Sequence, residues 1–265
     1  PARLVIVIML AKYFARRHVE IAHFRHIFVS GAYAGFICLM VFLQPDFGGA
    51  LIITSIWLGM VLVAGISWKH MALLVMTAVI AISAMWLFVL QDYQKDRIMT
   101  FIHPLADIQD SGYNAYQSTV AVGSGQITGK GIGFGTQSKL QFLPEFQTDF
   151  IFAAYAEEWG FLGVILLFGL FAIIVIRILS IAAHSADNFD SLLAVGIAVY
   201  FLAQFTVHVG MNMSLLPITG TTLPFMSYGG SHLLTEFAAL GVLMSIRRRA
   251  RPGMQGRYES EIVPM

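Results

Sequence analysis

Long apolar runs constrain this chain more than any other feature of its sequence. Several approach the length of about 20 residues that a helix needs to cross the hydrocarbon core of a bilayer. The 265 residues are 57% hydrophobic and only 12% charged, with a mean hydropathy of +0.74, whereas a soluble domain is about one quarter charged. The runs are too long for the alternating pattern of a transmembrane barrel. The sequence therefore predicts an all-α, polytopic bundle of transmembrane helices.

About seven spans can be placed on the apolar runs. They lie at about residues 1–14, 26–43, 48–66, 70–90, 149–176, 191–211 and 231–246. A long polar stretch, 91–148, separates the fourth span from the fifth, and we expect it to be a structured loop. We interpret 1–265 as a single membrane domain that ends in a tail, 247–265. Because Pro1 already lies inside an apolar run, we expect the chain to be a fragment that lacks an upstream part.

The distribution of basic residues predicts the orientation of the bundle. The connections that carry Lys or Arg alternate with connections, 44–47 and 212–222, that carry neither. Basic residues in short loops mark the cytoplasmic side. We therefore expect the 91–148 loop outside the cytoplasmic membrane and the C-terminal tail inside. The basic residues concerned are Lys12, Arg16, Arg17, Arg25, Lys69, Arg177, Arg247, Arg248, Arg249 and Arg251.

Three other features narrow the possible functions. The net charge of +1 gives no reason to expect a nucleic acid as partner, and the single Cys38 excludes an intrachain disulfide. The glycine-rich stretch 123–135 lacks the spacing of a phosphate-binding P-loop, and we expect it on the outer side, away from nucleotide. Its glycines are more typical of close backbone approach or of re-entrant packing. Beside it, Arg97, Lys130 and Lys139 are each most simply solvated charges, but together they could hold a pyrophosphate or a sugar-phosphate.

Acidic residues define the stretch that we consider central. Thr148 and Asp149 stand directly before the fifth span, where Asp149 could be a helix N-cap or a functional carboxylate at the mouth of the helix. Glu157 and Glu158 lie roughly 12–14 Å deeper, at about 1.5 Å per residue. Buried carboxylates are costly in a membrane, and we favour a structural hydrogen-bonding role between helices for this pair over direct chemistry.

Two breaks near the predicted outer face indicate a cavity beneath the long loop. Residues 216–220 and 223–231 contain Pro and Gly between apolar runs. Irregular backbone at membrane depth is tolerated where it is buried in protein or lines a cavity. His208 and Glu236 flank these breaks, and for each of them we favour a helix–helix hydrogen bond over catalysis. No spacing of His, Cys and Asp predicts a zinc site.

Five ordered motifs resemble the SEDS family, which includes RodA and FtsW, and of these two the chain looks closer to RodA. The resemblance covers essentially the whole chain. It implies about ten spans, of which the first three would be missing here. It also implies polymerisation of lipid II into undecaprenyl-linked peptidoglycan strands, for cell elongation, shape and division, together with a single-span class B penicillin-binding protein. The motifs are QPDFGGA at 44–50, SGYNAYQS at 111–118, GSGQITGKGIGFGTQ at 123–137, LPEFQTDFIFA at 143–153 and LPITGTTLPFMSYGGS at 216–231.

The resemblance also assigns site residues. The essential aspartate of the family's TDF motif falls on Asp149, which is therefore the predicted catalytic residue. The sequence departs from the family pattern at residues 1–3, at His232 and at Glu236. The predicted substrate-binding residues are Arg97, Lys130, Lys139, Glu145, Thr148, Ser227, Tyr228, Gly229, Gly230 and Ser231.

Three functions remain open at this stage. In a glycosyltransferase, Asp149 would act as the base and the cations would stabilise the leaving diphosphate. Mg²⁺ or Mn²⁺ could assist departure, although no ligand cluster indicates a metal. A lipid flippase would use the embedded glutamates, and a scaffold would only position a partner enzyme.

Small residues of the fifth and sixth spans offer a docking face for the partner, or else they pack the bundle's own helices. These are Gly163, Gly169, Ala194, Gly196, Ala198 and Ala203.

Overall fold

A computed structural model describes residues 2–16, 24–44, 46–65, 68–88, 95, 112–140 and 142–250. In these ranges all regular secondary structure is helical, which confirms the predicted all-α class. The described helices are α1 Ala2–Ala15, α2 Phe24–Phe42, α3 Phe47–Val63, α4 Trp68–Phe88, α5 Tyr113–Ser124, α6 Thr136–Lys139, α7 Ile151–Ala183, α8 Asn188–Asn212 and α9 Gly230–Arg249.

Seven of these helices coincide with the seven predicted spans. Two of them, α7 with 33 residues and α8 with 25, are by length and composition able to cross a membrane. The most apolar window of α7 is only 17% buried within the protein, whereas that of α8 is 67% buried. Since an apolar surface so exposed suits contact with lipid, α7 lines the periphery of a membrane protein and α8 lies inside it.

Helix α8 forms the centre of the packed core. It lies against α1, α3 and α7, and the main apolar cluster includes Leu10, Ile56, Ile197 and Phe201. Gly196 is buried where a Cβ would meet Val7 of α1 and Met60 of α3. Small residues of this kind let helix backbones approach closely.

The docking face predicted on the sixth span is therefore wrong at three of its residues. Ala194, Gly196 and Ala198 are buried inside the bundle. They pack the protein's own helices, which is the alternative interpretation. On the fifth span, by contrast, Gly169 has open space around it.

The most unusual element is α7, which is broken at Gly160. This residue has φ 64° and ψ −166°, a backbone conformation essentially confined to glycine. The break frees two carbonyls and two N–H groups, and the glycine-rich loop pairs with all four. Lys130 and Gly131 donate to the carbonyls of Glu157 and Glu158 at 3.0 Å, and the N–H groups of Phe161 and Leu162 donate to Gln126 and Ile127 at 2.8 and 3.1 Å.

This pairing confirms the close backbone approach predicted for the glycine-rich stretch. A Cβ on Gly125 or Gly129 would collide with the α7 backbone near the break. In hydrocarbon, unpaired backbone groups cost several kcal/mol each, so the loop stabilises a break that α7 could not support alone. The 91–148 stretch also contains α5, which packs against α7 and was not predicted from the sequence.

Candidate functional site

Asp149 lies just before the first turn of α7. The helix begins at Ile151 and its N-cap is Phe150, so Asp149 is not the N-cap residue. Its carboxylate is half-buried, and Oδ2 lies 3.4 Å from the position that a Cβ on Gly220 would occupy. The N-terminal end of α7 and the 216–220 break therefore meet at Asp149.

A tight turn fixes the chain that leads to Asp149. Glu145 has a positive φ of 55°, and its carbonyl accepts the N–H groups of Thr148, Asp149 and Phe150 at 3.1, 3.1 and 3.2 Å. The hydroxyl of Thr148 also donates to Glu145 Oε2 at 3.1 Å. Below the turn, a small apolar cluster seats the segment on α5 and α7; it consists of Leu143, Phe150, Ala121 and Ala153.

Asn212, the last residue of α8, holds the start of α7 from the side. Its Nδ2 donates to the carbonyl of Asp149 at 2.9 Å, and its Oδ1 accepts the N–H of Ala153 at 3.2 Å. The first-turn N–H groups of a helix have no intrahelical acceptor, so Asn212 acts as a cap supplied by another helix. Its own carbonyl accepts the hydroxyl of Ser118 at 2.8 Å. Sequence reasoning missed Asn212, although a polar residue ending an apolar run was a usable signal.

The second break supports the same turn through Ser227. The buried Ser227 hydroxyl donates to the carbonyl of Thr148 at 2.8 Å and accepts the N–H of Leu223 at 2.7 Å. The N–H of Tyr228 donates to the carbonyl of Gln147 at 2.9 Å, while its ring is 76% exposed. The Ser227 hydroxyl therefore forms its hydrogen bonds within the protein, whereas the exposed Tyr228 ring can contact a ligand. The predicted Gly229, Gly230 and Ser231 follow at the start of α9.

A buried polar group anchors this break from below. Glu236 Oε2 accepts the N–H of Phe225 at 2.8 Å, where Phe225 has a positive φ of 63°. His232 Nε2 lies 2.9 Å from Glu236 Oε1 and 2.9 Å from the hydroxyl of Thr222. His208 Nδ1 donates to a loop carbonyl, that of residue 221, at 2.7 Å. Glu236 and His208 thus bond to loop backbone, where helix–helix hydrogen bonds had been favoured.

Glu157 is fully buried and ties the glycine-rich loop to α7. Its carboxylate accepts Lys130 Nζ at 2.7 Å, the N–H and hydroxyl of Thr136 at 2.9 Å each, and the N–H of Gln137 at 3.2 Å. The structural role favoured for the glutamate pair is confirmed for Glu157, but its partners lie in the glycine-rich stretch and in the short helix α6, and not in another predicted span. For Glu158, no bond of the side chain to another described residue is found.

The predicted cations therefore fall into different surroundings. Lys130, which is 30% exposed, is ion-paired with Glu157. Lys139 ends α6, is exposed, and places its ammonium 5.9 Å from the ring centroid of Phe134. Arg97 lies outside the described residues. The structure brings Glu145, Thr148 and Ser227 into direct contact around Asp149, whereas no contact joins Lys130 or Lys139 to this group.

The electrostatics of Asp149 suit a proton acceptor. Burial raises the pKa of its carboxyl above the ordinary value, and the negative charge of Glu145 raises it further. A carboxylate whose pKa is closer to neutral holds a transferred proton better than an ordinary aspartate. Among the residues that the structure describes, no group of three or more His, Cys, Asp or Glu side chains is placed to bind a metal.

The QPDFGG motif reaches the same region from α3. Asp46 caps that helix by accepting the N–H of Gly49 at 2.6 Å, and a Cβ on Gly48 would meet Thr219 and Thr221. Motifs that are distant in sequence thus converge around the breaks that support Asp149.

Comparisons with known proteins agree with this convergence. The family model of the FtsW, RodA and SpoVE cell cycle proteins matches residues 1–252. The peptidoglycan glycosyltransferase MrdB of Escherichia coli is 39% identical over 208 residues, which are 78% of this chain and 56% of that protein. The probable peptidoglycan glycosyltransferase FtsW of Thioalkalivibrio sp. is 39% identical over 255 residues, 95% of this chain and 63% of that protein. The chain thus spans only 56–63% of the length of these relatives.

Solved structures show the same fold. A chain from a peptidoglycan synthase complex, studied for the coordination of polymerization and crosslinking, matches with a TM-score of 0.74 at 29% identity, over 94% of this chain and 69% of that chain. RodA of Thermus thermophilus matches with a TM-score of 0.57 at 27% identity, over 93% and 63% of the two chains. By its sequence, its converging motifs and its fold, this chain belongs to the FtsW, RodA and SpoVE family of cell cycle proteins, the SEDS family.

Proposed function

We propose that the full-length protein is a peptidoglycan glycosyltransferase that polymerises lipid II. The observation that carries this proposal is Asp149, a half-buried carboxylate with a raised pKa, held in place by α8 and by the second break. The names of the relatives support the same activity.

Each cycle joins two lipid-linked sugars. A hydroxyl of one attacks the anomeric carbon of the other, and the bond from that carbon to undecaprenyl diphosphate breaks. Asp149 accepts the proton of the attacking hydroxyl, so that a full positive charge never develops on the sugar oxygen. The departing diphosphate takes the electron pair of the broken bond and needs a cation nearby.

Lys139 and Arg97 are the stronger candidates for this cation. Lys139 has no carboxylate partner among the described residues, whereas Lys130 is already paired with Glu157. Lys130 contributes to substrate binding through the loop that it fixes. Mg²⁺ or Mn²⁺ stays open as a further aid to departure of the diphosphate.

The remaining predicted substrate-binding residues surround the base. Glu145 and Thr148 shape the turn before it, and the exposed Tyr228 ring offers a face to a sugar. The start of α9 adds main-chain N–H groups, which suit anionic parts of a ligand. These belong to Gly229, Gly230 and Ser231.

We further propose that the protein is a multi-pass component of the bacterial cytoplasmic membrane. In this orientation Asp149 and the 91–148 loop face outward and the tail faces the cytoplasm. A single-span class B penicillin-binding protein is the proposed partner, acting in cell elongation and shape. The similarity to a chain of a peptidoglycan synthase complex supports such an assembly. A transport function has less support, because the buried Glu157 and Glu236 are both bonded to backbone N–H groups of the loops. A scaffold function has less support, because it gives no role to the raised pKa of Asp149.

The substitution Asp149→Asn tests the activity. Asn has the same shape but cannot accept a proton, so polymerisation of labelled lipid II by the purified full-length protein should fall at least about 100-fold. Asp187→Asn is the matched control, because Asp187 is exposed before α8 and its side chain makes no capping bond. Near-normal polymerisation by the Asp149 variant would refute the assignment. No polymerisation by the unmodified protein with its partner would favour the transport or scaffold function.

A further inference from the structure

A cavity of about 760 Å³ lies between α7 and α9, at the end of the bundle opposite Asp149. All of its lining residues belong to these two helices or to the residues that cap their C-terminal ends. Most are apolar, among them Ile174, Ile178 and Leu243. The remaining lining consists of Ser180 and three basic side chains, Arg177, His184 and Arg247.

The arginines of this cavity carry charge that no described carboxylate neutralises. Arg177 and Arg247 are exposed, and neither forms an ion pair within the described part of the chain. Arg249, two residues beyond Arg247, differs because it pairs with Asp190 at 3.1 Å. The cavity therefore presents two guanidinium groups, from two different helices, that have no carboxylate partner among the described residues.

The two arginines lie toward the ends of α7 and α9 that face away from Asp149. Arg177 lies about 39 Å along α7 from its start at Ile151, and Arg247 lies about 25 Å along α9 from its start at Gly230, at about 1.5 Å per residue. The hydrocarbon core of a bilayer is about 30 Å thick. Ile174 and Leu243, one turn closer to the centre of the bundle, line the cavity at the depth of acyl chains.

We propose that this cavity binds an anionic phospholipid of the leaflet that faces the cytoplasm. Arg177 and Arg247 bind its phosphate, since guanidinium groups match phosphate oxygens in pairs. Basic pockets between transmembrane helices on the cytoplasmic side are suited to anionic lipid head groups. A lipid fits better than a soluble anion because apolar side chains continue the cavity below the arginines. The site rests on the proposed orientation but is independent of the chemistry at Asp149.

Native mass spectrometry of the purified full-length protein tests this site. Phosphatidylglycerol and phosphatidylethanolamine with identical acyl chains are compared on the unmodified protein and on the double variant Arg177→Gln, Arg247→Gln. Each cation near an anionic head group is worth about fivefold in affinity, so the double variant should bind phosphatidylglycerol about 30-fold more weakly. Binding of phosphatidylethanolamine should not change.

Lys12→Gln is the matched control, because Lys12 is an exposed cation in the last turn of α1 that does not line the cavity. An equal loss of phosphatidylglycerol binding in this variant would show that general surface charge causes the effect, and it would overturn the proposed site. Ser180→Phe fills the cavity without changing its charge, and phosphatidylglycerol binding unaffected by it would also overturn the proposal. So would full competition by glycerol phosphate, which carries the head-group chemistry without acyl chains.

Discussion

Replacing Glu157 by Gln isolates the side-chain contribution to the contact between the glycine-rich loop and α7. Gln has nearly the same shape as Glu and can still accept neutral hydrogen bonds through its carbonyl oxygen. It loses the charge that now attracts Lys130 and strengthens the bonds from Thr136 and Gln137. The main-chain pairs at the α7 break do not involve the side chain, so they remain in the variant.

The magnitude follows from the number of donors. Hydrogen bonds to a charged group contribute about 1.5–3 kcal/mol each, against about 0.5–1.5 kcal/mol for neutral ones. Five donors converge on the carboxylate, the weakest being the Ser124 hydroxyl at 3.4 Å, but their contributions are not additive, and Lys130 is exposed enough to regain water. We therefore expect the loop to lose about 2–4 kcal/mol of local stability, or about 30- to 1,000-fold in its opening equilibrium.

Amide hydrogen exchange measures this opening residue by residue. The amides of Thr136 and Gln137 donate directly to the carboxylate, so their exchange should accelerate most. The amides of Lys130 and Gly131 donate to main-chain carbonyls of α7 and should accelerate less. If Lys139 acts as the proposed cation, polymerisation should fall as well, because α6 would be less firmly placed.

Glu158→Gln provides the control. It removes a neighbouring negative charge, and the side chain of Glu158 bonds to no other described residue. It should leave exchange at Thr136 and Gln137 unchanged. The reasoning is refuted if Glu157→Gln also leaves these two amides protected, or if both variants release them equally.

Two further substitutions test the site and the break. Glu145→Gln removes one of the two causes that raise the pKa of Asp149, so the basic form of Asp149 should persist to lower pH. The acid limb of the pH profile of kcat/KM should therefore move to lower pH. A shift of this limb to higher pH would contradict the assignment of Asp149 as the base. Gly160→Ala places a Cβ against the backbone of Gly129 and Ile127 at a φ of 64°, and thermal unfolding should show a loss of about 2–4 kcal/mol. Gly169→Ala, with open space around it, should leave the unfolding temperature nearly unchanged.

The length and apolar character of the runs predicted the existence of the helices better than the residues at which these helices begin and end. The second span, predicted at about 26–43, is the helix Phe24–Phe42. The fifth was predicted to end near Arg177, yet α7 continues to Ala183. A long arginine side chain can reach the head-group region while its helix continues, so a basic residue marks an interface and not a helix end. Helix α5 was missed because its sequence is polar and its stability comes from packing against α7.

Those parts of the candidate site that lie within one sequence motif could be predicted. Those parts that depend on contacts between residues distant in sequence could not. Asp149 was found from the TDF motif and from its place before an apolar run. The pairing of Lys130 with Glu157 was not, although both residues had been noted, because it depends on a break at Gly160 that helical periodicity cannot reveal. Such breaks are stabilised by long-range partners, and a single sequence carries no record of which partners meet.

The cap that Asn212 supplies to α7 has a consequence for the order in which the chain matures. During synthesis the N-terminal end of α7 leaves the ribosome well before Asn212, since Ala153 and Asn212 are 59 residues apart. Until then the N–H of Ala153 and the carbonyl of Asp149 lack their partner, and the N-terminal end of α7 is held by its own turn and by its apolar contact with α5. The orientation of Asp149 is therefore a late event in biogenesis, which follows the docking of α8. A nascent chain interrupted between α7 and the end of α8 would carry every residue of the TDF motif without the side chain that fixes it.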